Sequence, residues 1–238
     1  MNKEQRELME KKSIVIENID KIYGFGRNRL RVLKALSLAI GYNEIVSIVG
    51  PSGAGKSTLL NIIGCLDGFQ SGRLSLLGRE VSSFSVRDRS VFRNRHIGFI
   101  FQLHNLLVEF NAVENIMMPL LIRRVGKREA KQRAVELLDR FGMSERASHK
   151  PAQLSGGECQ RIAVARAIVG KPDIILADEP TGNLDSENSR ILIQSLLNMG
   201  RENKTTIIIV THDKDIANLT ERTITLMDGS IVSESKNF

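Results

Sequence analysis

The chain has 238 residues, of which 42% are hydrophobic, 26% charged and 5% aromatic, with no Trp and a formal charge of +7. That length suits one large domain or a core with an inserted subdomain, and the balance is that of an ordinary globular protein. The few aromatic residues argue against a base-stacking nucleic-acid platform, while the charge permits contact with nucleic acid or an anionic membrane surface without requiring either.

In chain order, the N-terminal MNKEQRELMEKK is charged and lacks an apolar h-region, so no signal peptide is expected. No run of eighteen apolar residues follows, so no membrane span is expected and the chain should stay in the cytoplasm. Segments 14–19 and 32–40 read as short strands around a Gly- and Arg-rich turn. Segment 44–49 reads as a buried strand and 57–64 as a helix with Leu59, Leu60, Ile62 and Ile63 on its apolar side. Further strands are expected at 74–77 and 97–101, and an amphipathic helix at 129–141 carrying Ala130, Ala134, Leu137, Leu138 and Phe141. A helix over 156–169 is closed by Gly170 and Pro172. Uninterrupted apolar runs at 174–177 and 206–210 suit parallel strands buried on both faces, with a helix over 189–199 between them. A hairpin over 223–232 turns at Asp228-Gly229. Alternating strands and helices imply an α/β parallel-sheet core, interrupted by a mostly helical segment from about 103 to 169.

Between strand 44–49 and helix 57–64 lies Gly50-Pro51-Ser52-Gly53-Ala54-Gly55-Lys56-Ser57, which fits the nucleotide-binding P-loop pattern in its required strand–loop–helix context. Its glycines let successive N–H groups turn onto a phosphate at a helix N-terminus. Lys56 supplies a point charge for the β- and γ-phosphates, Ser57 a hydroxyl for Mg²⁺, and Thr58 a further phosphate contact. Asp178, at the end of strand 174–177, can orient the water shell of Mg²⁺. Ser155-Gly156-Gly157 opens another helix and forms a second anion-binding start, with Ser155 and Glu158 also spaced as a capping box. Cys65 and Cys159 belong to no paired motif, so neither a disulfide nor a metal site is expected.

The P-loop, the run Leu154-Ser155-Gly156-Gly157-Glu158 and the strand ending Asp178-Glu179 together resemble the ATP-binding subunit of an ABC (ATP-binding cassette) transporter, over about residues 14–232. The resemblance implies a P-loop NTPase (RecA-like) core with an N-terminal antiparallel β subdomain and an inserted α-helical subdomain. It places one domain at 13–236, with core and β subdomain at 13–102 and 170–236 and the helical subdomain at about 103–169. It implies ATP and Mg²⁺ as ligands, with Glu179 as general base, Gln102 as the glutamine that contacts Mg²⁺ or water, His212 as the residue facing the γ-phosphate, and Tyr23 as the adenine-stacking ring. It also implies a head-to-tail homodimer. Ser155, Gly156 and Gly157 of one copy would cover the nucleotide on the other's P-loop, and Asp185 of Gly182-Asn183-Leu184-Asp185 would cross the interface. Cys159 departs from the family, many of whose members carry a polar or basic residue there.

Pro180-Thr181-Gly182-Asn183-Leu184-Asp185 resembles the export and cell-division branch, which includes the MacB, LolD and FtsE types. Gly64-Cys65-Leu66-Asp67 fits the MacB and LolD types, and the stretch from His104 to Leu121 is most similar to the LolD type, which drives lipoprotein release from the bacterial inner membrane. That resemblance implies integral, multi-pass membrane partners and a peripheral location on the cytoplasmic face. A MacB-like efflux ATPase, an FtsE-like cell-division regulator and, in a different class, a soluble DNA-associated ATPase stay open. No nucleic-acid partner is expected, since long insertions or zinc modules typical of DNA-repair relatives are missing. Arg123, Arg124, Lys127, Arg128, Lys131 and Arg133 form a basic run that suits either lipid head groups or plain solvation.

Overall fold

The computed structural model describes residues 12–24, 28–182 and 185–237. The expectations for the N-terminal segment, the tip of the first turn, Asn183 and Leu184 lie outside the described residues. Among the described residues ten strands form two sheets. The first is antiparallel, in the order β2 (Leu30–Gly41), β1 (Lys12–Tyr23), β4 (Ser71–Leu76), β5 (Arg79–Glu80). The second runs β10 (Ser230–Lys236), β9 (Arg222–Met227), β3 (Ile45–Val49), β8 (Thr206–Val210), β7 (Ile174–Asp178), β6 (Ile97–Ile100). Its pairs are parallel except for the β9–β10 hairpin.

Each parallel strand sends alternate residues to opposite faces. Val46 and Ile48, Ile174 and Leu176, and Ile208 and Val210 pack with α1 (Lys56–Ile63) and the antiparallel sheet. Ile45, Ile175, Ala177, Ile207 and Ile209 pack on the other side with Leu192, Ile193, Leu196 and Leu197 of α6 (Ser186–Asn203). Burying each such Leu or Ile contributes about 1.5–3 kcal/mol, which makes this double-faced sheet the chief source of stability.

Helices α3 (Ala112–Ile122), α4 (Lys127–Arg140) and α5 (Gly156–Ile168) enclose a separate apolar cluster that includes Ile116, Leu120, Ala134, Leu138 and Ile162. The faces of α5 divide the work: Val164 and Ile168 join the sheet's cluster, and Ile162 and Ala165 join the helical one. Its backbone can approach β6 closely because Gly98 has no side chain; a Cβ there would stand 2.4 Å from the Ala167 carbonyl oxygen. Cys159, the departure from the family pattern, points inward, is buried, and sits 3.7 Å from the Pro151 carbonyl oxygen. Its thiol is pushed up by burial.

Three helices emerge that periodicity did not single out. In α2 (Val86–His96) only Phe92 is buried, so the segment carries no apolar stripe. The α3 segment is apolar on nearly all sides, which conceals its period, although Asn111 and Glu114 form a capping box at its start. The five-residue α7 (Lys214–Asn218) is too short to show a period and is set by Asp213 as N-cap. Asn115, fully buried in α3, holds the preceding loop: its Oδ1 accepts from Leu107 N at 2.8 Å, and its Nδ2 donates to the Leu107 and Phe110 carbonyls at 3.1 and 3.0 Å. Part of the basic run is structural too. The half-buried Arg123 guanidinium donates to the carbonyls of Asn94, Arg95 and Gly170, and Arg133 pairs with Glu129 one turn away. Arg124, Lys127, Arg128 and Lys131 remain exposed.

Candidate functional site

Parallel strands put all their C-terminal ends on one sheet edge, where α/β proteins bind ligands. Here that edge collects the P-loop after β3, Gln102 after β6, Asp178 and Glu179 at and after β7, and His212 after β8. Register makes the gathering close: Ile48 pairs with Val210, Val210 pairs with Asp178, and the Glu179 amide donates to the Val210 carbonyl at 2.9 Å.

The P-loop curls with positive φ at Gly50, Gly53 and Gly55, of 151°, 79° and 103°. At Gly50 the need is also steric, because a Cβ would lie 2.0 Å from the Leu226 carbonyl oxygen of β9. Pro51, Ser52 and Gly53 face solvent and Ala54 is buried as the inner anchor. The Lys56 ammonium folds back onto the loop, donating to the Gly50 and Pro51 carbonyls at 2.8 and 2.9 Å. A cation held by neutral carbonyls over a cradle of N–H groups is suited to receive a polyphosphate. The Asp178 carboxyl is pushed up by burial, lowered in part by the Ser57 hydroxyl beside it, and raised again by the charge of Glu179. A hydroxyl and a carboxylate side by side at a phosphate cradle are the hard oxygen donor set that Mg²⁺ takes, sharing its remaining positions with water and substrate. Among the described residues no cluster of three or more His, Cys, Asp or Glu side chains that could hold a metal ion is found.

Glu179 adopts φ 47°, a left-handed conformation that non-glycine residues take at a cost of about 1–3 kcal/mol and that concentrates at functional positions. Its Oε2 lies 2.7 Å from Nδ1 of His212. The histidine is 74% exposed and the carboxylate 17%, so the pair bridges solvent and interior. Gln102 is exposed at the sheet edge and its side chain lies against Gly182 of the loop after Glu179, 3.1 Å from where a Cβ of that glycine would stand.

Tyr23 ends β1 with its ring 40% exposed. Its hydroxyl donates to Asp67 at 2.6 Å, and the buried Lys21 both pairs with Asp67 at 2.7 Å and sits 4.4 Å from the ring centroid. Burial and Asp67 raise the phenol further from ionisation. The ring is therefore a neutral, oriented face able to stack on a base. Lys21 and Asp67 escaped sequence reasoning as supports of this ring; Asp67 was visible only as the last residue of the Gly64–Asp67 segment.

Ser155 and Gly156 stand exposed at the start of α5. Ser155 accepts from Glu158 N at 3.3 Å while Glu158 accepts from Ser155 N at 2.8 Å and from Arg146 at 2.8 Å. Arg146 first, and then the Ser155 amide, bring the Glu158 carboxyl down to about 2. Because the folded value lies below the ordinary 4.5, this stabilisation is complete above about pH 4.5 and drains away as pH falls toward 2. Denaturant melts between pH 5 and 2 should therefore show Arg146→Ala costing progressively less as pH falls; a cost independent of pH would contradict the assignment. Asp185 serves as N-cap of α6, its two carboxylate oxygens accepting from Asn188 N at 2.8 Å and Asn188 Nδ2 at 2.7 Å.

The sequence profile of the family described as ABC transporter matches residues 33–182. The lipoprotein-releasing system ATP-binding protein LolD of Bacteroides fragilis (strain YCH46) is 51% identical over 92% of this chain and 100% of its own length. An uncharacterized ABC transporter ATP-binding protein, YknY of Bacillus subtilis (strain 168), is 44% identical over 93% of this chain and 96% of its own. Among solved structures, the dimeric post-hydrolysis state of the ATP-binding cassette MJ0796, bound to ADP and Pi, superposes with a TM-score of 0.89 at 39% identity, covering 94% of this chain and 99% of that one.

Proposed function

The chain belongs to the ABC transporter family, and from that premise we propose that it is the ATP-hydrolysing subunit of a lipoprotein-releasing machine. It works as a homodimer at the cytoplasmic face of the inner membrane, beneath integral membrane subunits. The observation that carries the ATPase reading is the meeting of Lys56, Ser57, Asp178, Glu179 and His212 at one sheet edge. The lipoprotein reading is supported by identity to LolD along that relative's full length. No helix among the described residues is long and apolar enough to cross a membrane.

In the proposed mechanism the P-loop N–H groups and Lys56 hold the triphosphate of ATP, with Thr58 as a further contact and Tyr23 under the adenine. Ser57, Asp178 and Gln102 would hold Mg²⁺, which when bound neutralises charge on the phosphates. Glu179 takes a proton from the attacking water, and His212, whose Nδ1 lies 2.7 Å from its Oε2, orients the carboxylate and faces the γ-phosphate. The exposed helix start at Ser155, Gly156 and Gly157 is a second anion site that one chain leaves unused. Head-to-tail pairing would use it, with Asp185 at the seam, and the dimeric state of the MJ0796 cassette supports this arrangement.

A groove of about 470 Å³ in the helical cluster, lined by Phe110, Val113, Met117, Met118 and Leu121 and edged by Lys127 and Lys131, suits an amphipathic helix of the membrane partner. The test is purification of the Glu179→Gln chain from native membranes in mild detergent with ATP, followed by mass spectrometry. Multi-pass proteins with large periplasmic domains together with lipoproteins are expected. The same partners without lipoproteins would move the role to efflux or cell-wall regulation, and a dimer free of membrane proteins would overturn the transport reading.

A further inference from the structure

Gln160 lies in the second turn of α5 and is 3% exposed. Its amide nitrogen donates to two backbone carbonyls from different parts of the chain, Pro180 at 2.6 Å and Phe101 at 3.3 Å. Phe101 immediately precedes Gln102, and Pro180 immediately follows Glu179. The two loops also touch directly, through the Gln102 side chain against Gly182. One side-chain amide thus ties together the helix that begins at Ser155-Gly156-Gly157, the loop that carries Gln102 and the loop that carries Glu179.

The chemistry of the junction is selective. Both carbonyls lie past the ends of their strands, where the sheet ladder no longer pairs them, and buried carbonyls must find donors. A primary amide supplies two N–H donors from one nitrogen; a carboxylate supplies none, and an apolar side chain would leave both carbonyls unpaired. The arrangement is also incompletely satisfied. The Gln160 Oε1 is buried with no hydrogen-bond partner among the described residues, a cost the amide bears while its nitrogen serves the two carbonyls.

We propose that Gln160 is a positioning residue for ATP hydrolysis, setting the register of α5 against the Gln102 and Glu179 loops. The proposal rests on the ATPase reading above. It acts through the placement of those loops and touches no reacting atom.

The test compares the full-length parent chain with Gln160→Met, which keeps length but loses the donors, and Gln160→Asn, which withdraws the amide by one methylene. ATP turnover, ATP affinity and Tm are measured for each, and Gln160→Met is repeated in a Gln102→Ala background. Expected is a fall in kcat of about tenfold with KM and ATP Kd held within about twofold, the pattern of an interaction that matters in the transition state. In the Gln102→Ala background the further loss should shrink below about threefold, since residues acting as a unit are not additive. A parental kcat in both variants overturns the proposal. So does a lowered Tm with unchanged kcat per folded chain, or a full tenfold loss that persists beside Gln102→Ala. A parent chain with no ATP turnover would instead remove the ATPase reading itself.

Discussion

Replacing Glu179 by Gln is expected to lower ATP turnover by about 10²–10⁴-fold, the usual contribution of a positioned general base, while leaving ATP binding in place. The substitution keeps the volume, the left-handed backbone at φ 47° and a polar group 2.7 Å from His212. It removes the carboxylate's negative charge and with it the ability to accept a proton from water. Because nucleotide still binds and is not consumed, ATP should accumulate the closed dimer. Binding can shift the open–closed equilibrium only if ATP has the higher affinity for the closed form, which a nucleotide shared between two copies provides. Turnover assays with light scattering check both halves of the expectation. Parental turnover in the variant would remove Glu179 from its proposed role. Loss of turnover without an ATP-dependent dimer would point to damage elsewhere at the sheet edge.

Lys56→Ala should weaken ATP binding by about 10- to 100-fold, the range expected when a charged hydrogen bond to the ligand is lost. Lys56 has a second task visible in the structure, since its ammonium braces the Gly50 and Pro51 carbonyls. The alanine chain should therefore also hold its loop less firmly, without losing its fold, because α1 is anchored by Leu59, Leu60, Ile62 and Ile63 rather than by Lys56. Calorimetric titration with a non-hydrolysable ATP analogue reads the affinity, and a thermal melt reads the fold. Lys56→Arg is a useful companion: its planar fork replaces a compact point charge and should not restore full affinity. Unchanged affinity in the alanine chain would count against the P-loop as the nucleotide cradle.

Seen from these two residues, the legible part of the molecule is local. The P-loop needs a strand, a glycine-bearing turn and a helix start within one short stretch, so spacing alone reveals it. The same holds for Ser155 to Glu158, whose capping box closes within a single turn. The apolar runs at β7 and β8 are buried on both faces, and their unbroken hydrophobicity says so directly. Helix α2 was illegible for the opposite reason: with only Phe92 buried, it leaves no pattern. Asp185, expected at a dimer seam, has in this chain the further occupation of capping α6, which the resemblance of Gly182–Asp185 did not convey.

The sequence by itself determined the family, the P-loop pattern and the strands that flank it, because each depends on residues near one another in the chain. Only the tertiary structure decided that Lys56, Asp178, Glu179 and His212 share one edge, because strand order in a parallel sheet is set by crossover packing and not by spacing. It alone decided that Tyr23 is oriented by Lys21 and Asp67, and that Gln160 joins the Phe101 and Pro180 carbonyls. Those contacts pair groups remote in sequence, and burial compels them: a polar atom removed from water must take its partner from whatever the fold brings beside it.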